Sequence, residues 1–198
     1  MKRESELLQL PNYHTYLSEL TDAINKQDDI TVNQIFNRIN LELFKIRSAK
    51  SVRVARREIM WNDPEQHFKS VEQEEADDLR REFDDNLSLF ELANSLGYEP
   101  VMKIEFIKMV KNLSEIRKRT SVREARSEIM WSYPEDHFSR VAKEEEADLK
   151  NEIADLLDLY DIAKSANYNE GVELVTSRLN EIAPDLVESL NKFKRWLP

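Results

Sequence analysis

Apolar residues recur three and four positions apart along most of this chain. Ile35, Phe36, Ile39, Leu43 and Ile46 follow that helical period and predict an amphipathic helix over about 31–49, with a counterpart over about 101–119. Phe68, Val71, Leu79, Phe83, Leu87 and Phe90 extend the period along a longer helix that Glu75 interrupts. Phe138, Val141, Leu149, Ile153, Leu157 and Tyr160 repeat it, interrupted by Glu145. A shared polar break of this kind reads as a kink or as a stretch projecting past the core. Between the first and third helices, Val52, Ala55 and Ile59 mark the inner face of a short helix over 51–61. Ser51 and Ser121 stand where an N-cap is wanted, and Glu124 completes a capping box with Ser121. Pro64 and Pro134 suit the first turn of the long helices, where a missing N–H is harmless. Gly97 and Asn167 follow the last apolar positions and suit a left-handed C-terminal residue.

The pattern occurs twice. Thirteen of the twenty residues of SVRVARREIMWNDPEQHFKS (51–70) recur without a gap in SVREARSEIMWSYPEDHFSR (121–140), a spacing of 70. The same spacing pairs Phe36 with Phe106, Phe90 with Tyr160, Ala93 with Ala163 and Tyr98 with Tyr168. The expected fold is all-α: a tandem duplication of a three-helix unit of about 70 residues, stacked into one helical-repeat or bundle-like domain. A capping helix would occupy 1–29, unit 1 residues 30–99, unit 2 residues 100–169 and capping helices 170–198. No 34- or 40-residue repeat signature is present.

Composition narrows the chemistry. The chain of 198 residues has no cysteine and only two glycines, and 34% of its residues are charged. Thiolate chemistry is excluded, and a Gly-rich phosphate loop has nothing to be built from. No apolar run is long enough for a membrane span, and MKRESELLQL lacks the apolar stretch of a signal peptide, so a cytoplasmic location is expected. A net charge of −10 argues against direct nucleic-acid binding.

Charge is segregated. Residues 45–57 hold Lys45, Arg47, Lys50, Arg53, Arg56 and Arg57 and no acid, whereas 63–91 hold eleven acids against three bases. Arg117, Lys118, Arg119, Arg123 and Arg126 likewise precede ten acids against three bases in 135–161. Either the basic short helix lies beside the acidic long helix and the two neutralise each other, or an outward acidic face meets a basic partner. The second reading makes Glu74, Glu75, Asp77 and Asp78, with Glu144, Glu145, Glu146 and Asp148, contacts for another protein. Arg53, Arg56, Arg123 and Arg126 join them, because arginines three apart suit fork-shaped recognition of carboxylates or phosphates, though they suit an internal salt bridge to Glu58, Glu65 or the acidic helix equally. An adaptor, chaperone or inhibitor of the immunity type would fit, as would a DNA mimic occupying a nucleic-acid-binding protein.

The repeated EIMWxxPExHF block has two readings. Trp61, Pro64, His67 and Phe68, with Trp131, Pro134, His137 and Phe138, form a packed corner in one. In the other, Glu58, Glu65 and His67, with Glu128, Glu135 and His137, form a metal or acid–base site. One histidine per unit without HExxH spacing favours the corner. The expectation is therefore a protein that is not an enzyme, with no catalytic residues, no metal and no cofactor, and with homodimerisation left open.

Overall fold

The computed structural model describes residues 6–50, 64–120 and 134–185. Among them every regular element is helical and no strand occurs. A 3-10 turn, Glu6–Gln9, precedes α1 (Tyr13–Asn25), α2 (Asp29–Lys50), α3 (Pro64–Ser95), α4 (Glu99–Thr120), α5 (Pro134–Ser165) and α6 (Asn169–Ile182). The short helices expected over 51–61 and 121–131, with Arg53, Arg56, Trp61, Arg123, Arg126 and Trp131, lie outside the described residues, so the three-helix content of the repeat does too. Pro64 and Pro134 head α3 and α5, as their lack of an N–H favours. Neither long helix stops at its polar break: α3 runs on through Glu75 and α5 through Glu145.

Three helix-to-helix corners fall at the spacing of the sequence recurrence. Each has one residue in the left-handed region: Gln27 (φ 54°), Gly97 (φ 68°) and Asn167 (φ 53°). The hydrogen bonds repeat as well. The N–H of Asp28 donates to the Ala23 carbonyl (2.9 Å), that of Tyr98 to Ala93 (2.9 Å) and that of Tyr168 to Ala163 (2.8 Å). The left-handed residues donate to Ile24, Asn94 and Lys164. This paired pattern satisfies carbonyls that a helix end leaves open, and its reversed residue turns the chain into the next helix. The three alanines are buried. At the first corner Asp28 also caps α2, accepting from the Thr31 N–H (3.0 Å) and hydroxyl (2.6 Å).

The chain divides into two compact units, Met1–Asn112 and Leu113–Pro198, with the boundary inside α4. In the first, Leu20, Ile35, Phe36, Ile39, Leu43, Leu89, Phe90, Phe106 and Met109 form the core. Each such side chain contributes about 1.5–3 kcal/mol of burial. The Phe36 ring stacks on Tyr98 at 6.4 Å, and Phe90 meets Phe106 at 5.5 Å with tilted planes. In the second unit α5 packs on α6, and Leu156, Leu159, Ala163, Tyr168, Val175 and Leu179 are buried.

Within the first unit α2 and α4 run parallel. Asn33 Nδ2 reaches Tyr98 Oη and Asn40 Nδ2 reaches Glu105 Oε1, each at 3.4 Å and each across 65 residues. A constant offset of that kind is the mark of parallel helices, since antiparallel ones would run in opposite register. Polar pairs vary between corresponding positions. Tyr16 donates to Glu42 at 2.7 Å across α1 and α2. Seventy residues on, the same two positions hold Asn86 and Asn112, both buried. Seventy further, they hold Leu156 and Ile182.

Candidate functional site

The acids proposed as partner contacts are largely engaged inside the molecule. Glu74, Glu75 and Asp77 on α3 are half-buried. Asp78 is only 5% exposed and pairs with Arg81 one turn along the helix. It therefore lies below the surface that a partner would touch. On α5, Glu144, Glu145 and Asp148 are half-buried. Glu74, Glu75, Asp78, Glu144, Glu145 and Asp148 all hold interactions of their own. Glu146 is exposed, and the Lys150 ammonium 2.6 Å away holds its carboxyl below the usual range.

The basic ends of α2 and α4 supply part of this neutralisation. Arg47 Nη1 lies 2.5 Å from Asp85 Oδ2, and Arg117 Nη1 lies 3.0 Å from Glu152 Oε2. Asp85 and Glu152 are buried carboxylates. The two arginines correspond across the repeat, but the second uses an acid one helical turn earlier. Glu152 takes a further cation, Arg178 Nη2 at 2.8 Å, which also reaches Ser114 Oγ at 3.3 Å. Burial works against the Arg178 charge, while bonds to Glu152 and Glu181 outweigh it and raise its pKa. These pairs join the ends of α2 and α4 to acids of α3 and α5; the short basic helices expected to lie against those acids fall outside the described residues. Glu105 is a further buried carboxylate. It is 2% exposed where the corresponding residues are Ile35 and Val175. Lys108 Nζ holds it at 2.9 and 3.1 Å.

The other sequence candidates are not brought into view. Glu58 and Glu128 lie outside the described residues, and nothing is described of the side chains of Glu65, His67, Phe68, Glu135, His137 and Phe138. His14 is exposed on α1 beside the Tyr13 ring. Among the described residues no group of three or more histidines and carboxylates could hold a metal ion. No helix among them is long and apolar enough to cross a membrane.

A different surface emerges from the register of α2 and α4. Asn40 and Glu105 face each other across the parallel pair. A turn of about 100° per residue then swings Ile39 and Phe106 to one side of the layer and Leu41 and Ile104 to the other. Burial agrees: Ile39 and Phe106 are 0% exposed, whereas Leu41 is 60% and Ile104 49% exposed. Ile30 and Phe44 share the outer side of α2, and Ile107 lies next to Ile104 on α4; all are strongly exposed. In the second unit Leu174 of α6, at the repeat position of Ile104, is exposed too. Each of three apolar residues is followed four positions later by a lysine: Leu41 by Lys45, Ile104 by Lys108 and Ile107 by Lys111. Lys45 and Lys111 are exposed and pair with no carboxylate among the described residues.

Sequence reasoning missed this face. The available signal was that Leu41 and Phe44 fall off the stripe through Ile39, Leu43 and Ile46, on the opposite side of the same helix. Comparisons with known proteins place no relative beside the chain: no family model, no curated protein and no solved structure matches it.

Proposed function

We propose that this chain is a non-enzymatic helical scaffold that binds another protein, built as a tandem duplication of a helical unit of about 70 residues. The observation that carries the reading is the row Ile30, Leu41, Phe44, Ile104 and Ile107, exposed on one side of two parallel helices whose other side is core. Contiguous exposed apolar area is costly in water, and on a soluble domain it marks an interaction surface. The acidic contacts Glu74, Glu75 and Asp77, and Glu144 to Glu146, remain a second surface for a basic partner, supported by the net charge of −10.

The test is capture from the native cells after gentle cross-linking, with the wild type and with Leu41→Ser/Ile104→Ser side by side. A protein recovered with the wild type and lost with the variant, at unchanged melting temperature, supports the scaffold reading. Recovery that instead falls with salt and with Glu74→Gln/Glu75→Gln/Asp77→Asn moves the contact to the acidic surface. If that partner is a nucleic-acid-binding protein displaced by DNA, the chain is a mimic. An identical set of proteins with all three chains counts against every version.

A further inference from the structure

We infer that the outer face of α2 and α4 receives an acidic amphipathic helix of a partner protein, an assignment that rests on the scaffold reading and names its occupant. Two parallel helices leave a shallow furrow between them. Here its walls carry Leu41 and Phe44 on one side and Ile104 on the other, all exposed. A third helix fills such a furrow with residues spaced three and four apart.

The flanking charge selects the partner's polar residues. Lys45, Lys108 and Lys111 each lie one turn beyond an exposed apolar side chain. Lys45 and Lys111 have no carboxylate among the described residues to neutralise them, and Lys108 is bound to Glu105 through a carboxylate that is itself buried. A helix whose apolar stripe is edged by Glu and Asp would seat its stripe on Leu41, Phe44 and Ile104 and bring its acids to the lysines. A basic helix would meet like charge. The surface is thus opposite in sign to the chain as a whole, which carries −10. Acidic partners would be repelled at long range and held at short range, so moderate salt should speed their approach while weakening the final contact.

The experiment uses the full chain and a dye-labelled synthetic helix of about 20 residues, with leucines at helical spacing and flanking glutamates. A second peptide carries lysine in place of every glutamate, and a third is a scramble without an apolar stripe. Fluorescence anisotropy gives the affinities. The expected result is binding of the glutamate peptide at least about tenfold tighter than either control. Leu41→Ser/Ile104→Ser should abolish that preference, and Lys45→Glu/Lys111→Glu should reverse it in favour of the lysine peptide. Melting temperatures of both variants should stay at the wild-type value. Equal binding of all peptides, or no effect of either variant, overturns the inference. So does sedimentation at neutral pH showing a dimer that Leu41→Ser/Ile104→Ser dissolves, since a second copy then covers the face. Tighter binding to vesicles containing phosphatidylserine than to the glutamate peptide overturns it as well. If the peptides fail while Leu41→Ser/Ile104→Ser still loses a captured protein, the occupant is wrong and the scaffold reading stands.

Discussion

Arg47 and Arg38 leave the same helix, yet they hold carboxylates in opposite settings. Arg38 meets Glu19 at 2.8 Å with both side chains about half exposed, whereas Arg47 meets the buried Asp85. Arg38→Gln should cost under about 1 kcal/mol. Arg47→Gln removes the close cation from a buried carboxylate and should cost roughly 3–5 kcal/mol in urea unfolding, with Arg47→Met/Asp85→Leu recovering most of it. Equal losses for the two single variants would remove the distinction. Tyr16 tests the same principle at high pH. Its hydrogen bond to Glu42, and then burial, raise its pKa above the usual value. A raised pKa means that this stabilisation is complete below the unfolded value, near 10, and is lost as pH rises through the folded one. Burial and then Asp29 act in the same direction on Tyr98. Melts followed from about pH 8 to 11 should therefore fall less steeply for Tyr16→Phe than for the wild type. Such roles were only partly legible. The candidate acids of α3 at 74, 75, 77 and 78 spread over about half of the helix circumference, so composition alone does not say that Asp78 is the one turned inward.

At the scale of elements, the corners show which residue types betray a turn. Gly97 and Asn167 announce theirs, because glycine lacks the Cβ that crowds a left-handed residue and asparagine tolerates it. Gln27 adopts the same conformation without any such preference, and only the recurrence at 70 residues points to it. Nothing lies within 4 Å of a Cβ added at Gly97, so the cost there is backbone strain alone. Gly97→Ala should destabilise by about 1 kcal/mol and Gln27→Gly should stabilise by up to about 1 kcal/mol, both measured by chemical denaturation. A loss at Gln27→Gly would mean that its side chain contributes more than its backbone costs. The cap Asp28 gives a further prediction. The Thr31 hydroxyl, then its N–H, hold the Asp28 carboxyl below its usual value. Its contribution is present above the unfolded pKa and disappears as pH falls through the lower folded one. Asp28→Ala should lower the melting temperature at neutral pH and have no further effect once the carboxyl is protonated. The long helices were legible as helices from their period, but not in their inner face. Of the stripe on α3, Phe83 and Phe90 are buried while Val71, Leu79 and Leu87 are half-buried; on α5, Leu149, Ile153, Leu157 and Tyr160 are half-buried while Leu156 and Leu159 are core. The outer row on α2 was not legible, because its residues form no stripe of their own until Asn40 and Glu105 set the register with α4.

For the whole molecule, net charge and the outer face act together. At neutral pH a charge of −10 keeps copies apart, while near the isoelectric point of about 5.0 that repulsion vanishes. Light scattering should show reversible self-association as pH approaches 5.0, reduced in Leu41→Ser/Phe44→Ser. Undiminished association in the variant would place the sticky surface elsewhere. A last consequence follows from the Tyr16–Glu42 hydrogen bond and from the unlike residues at the positions 70 and 140 further on, Asn86 with Asn112 and Leu156 with Ile182. Chains with near-identical segments risk assembling out of order, with a helix docking on its neighbour's sibling. Here such a mistake would part Glu42 from the Tyr16 hydroxyl and set its carboxylate against Leu156, a polar group that loses its partner. The recurring corners supply a shared frame, and the differing residues at corresponding positions act as addresses that tell one helix pair from another.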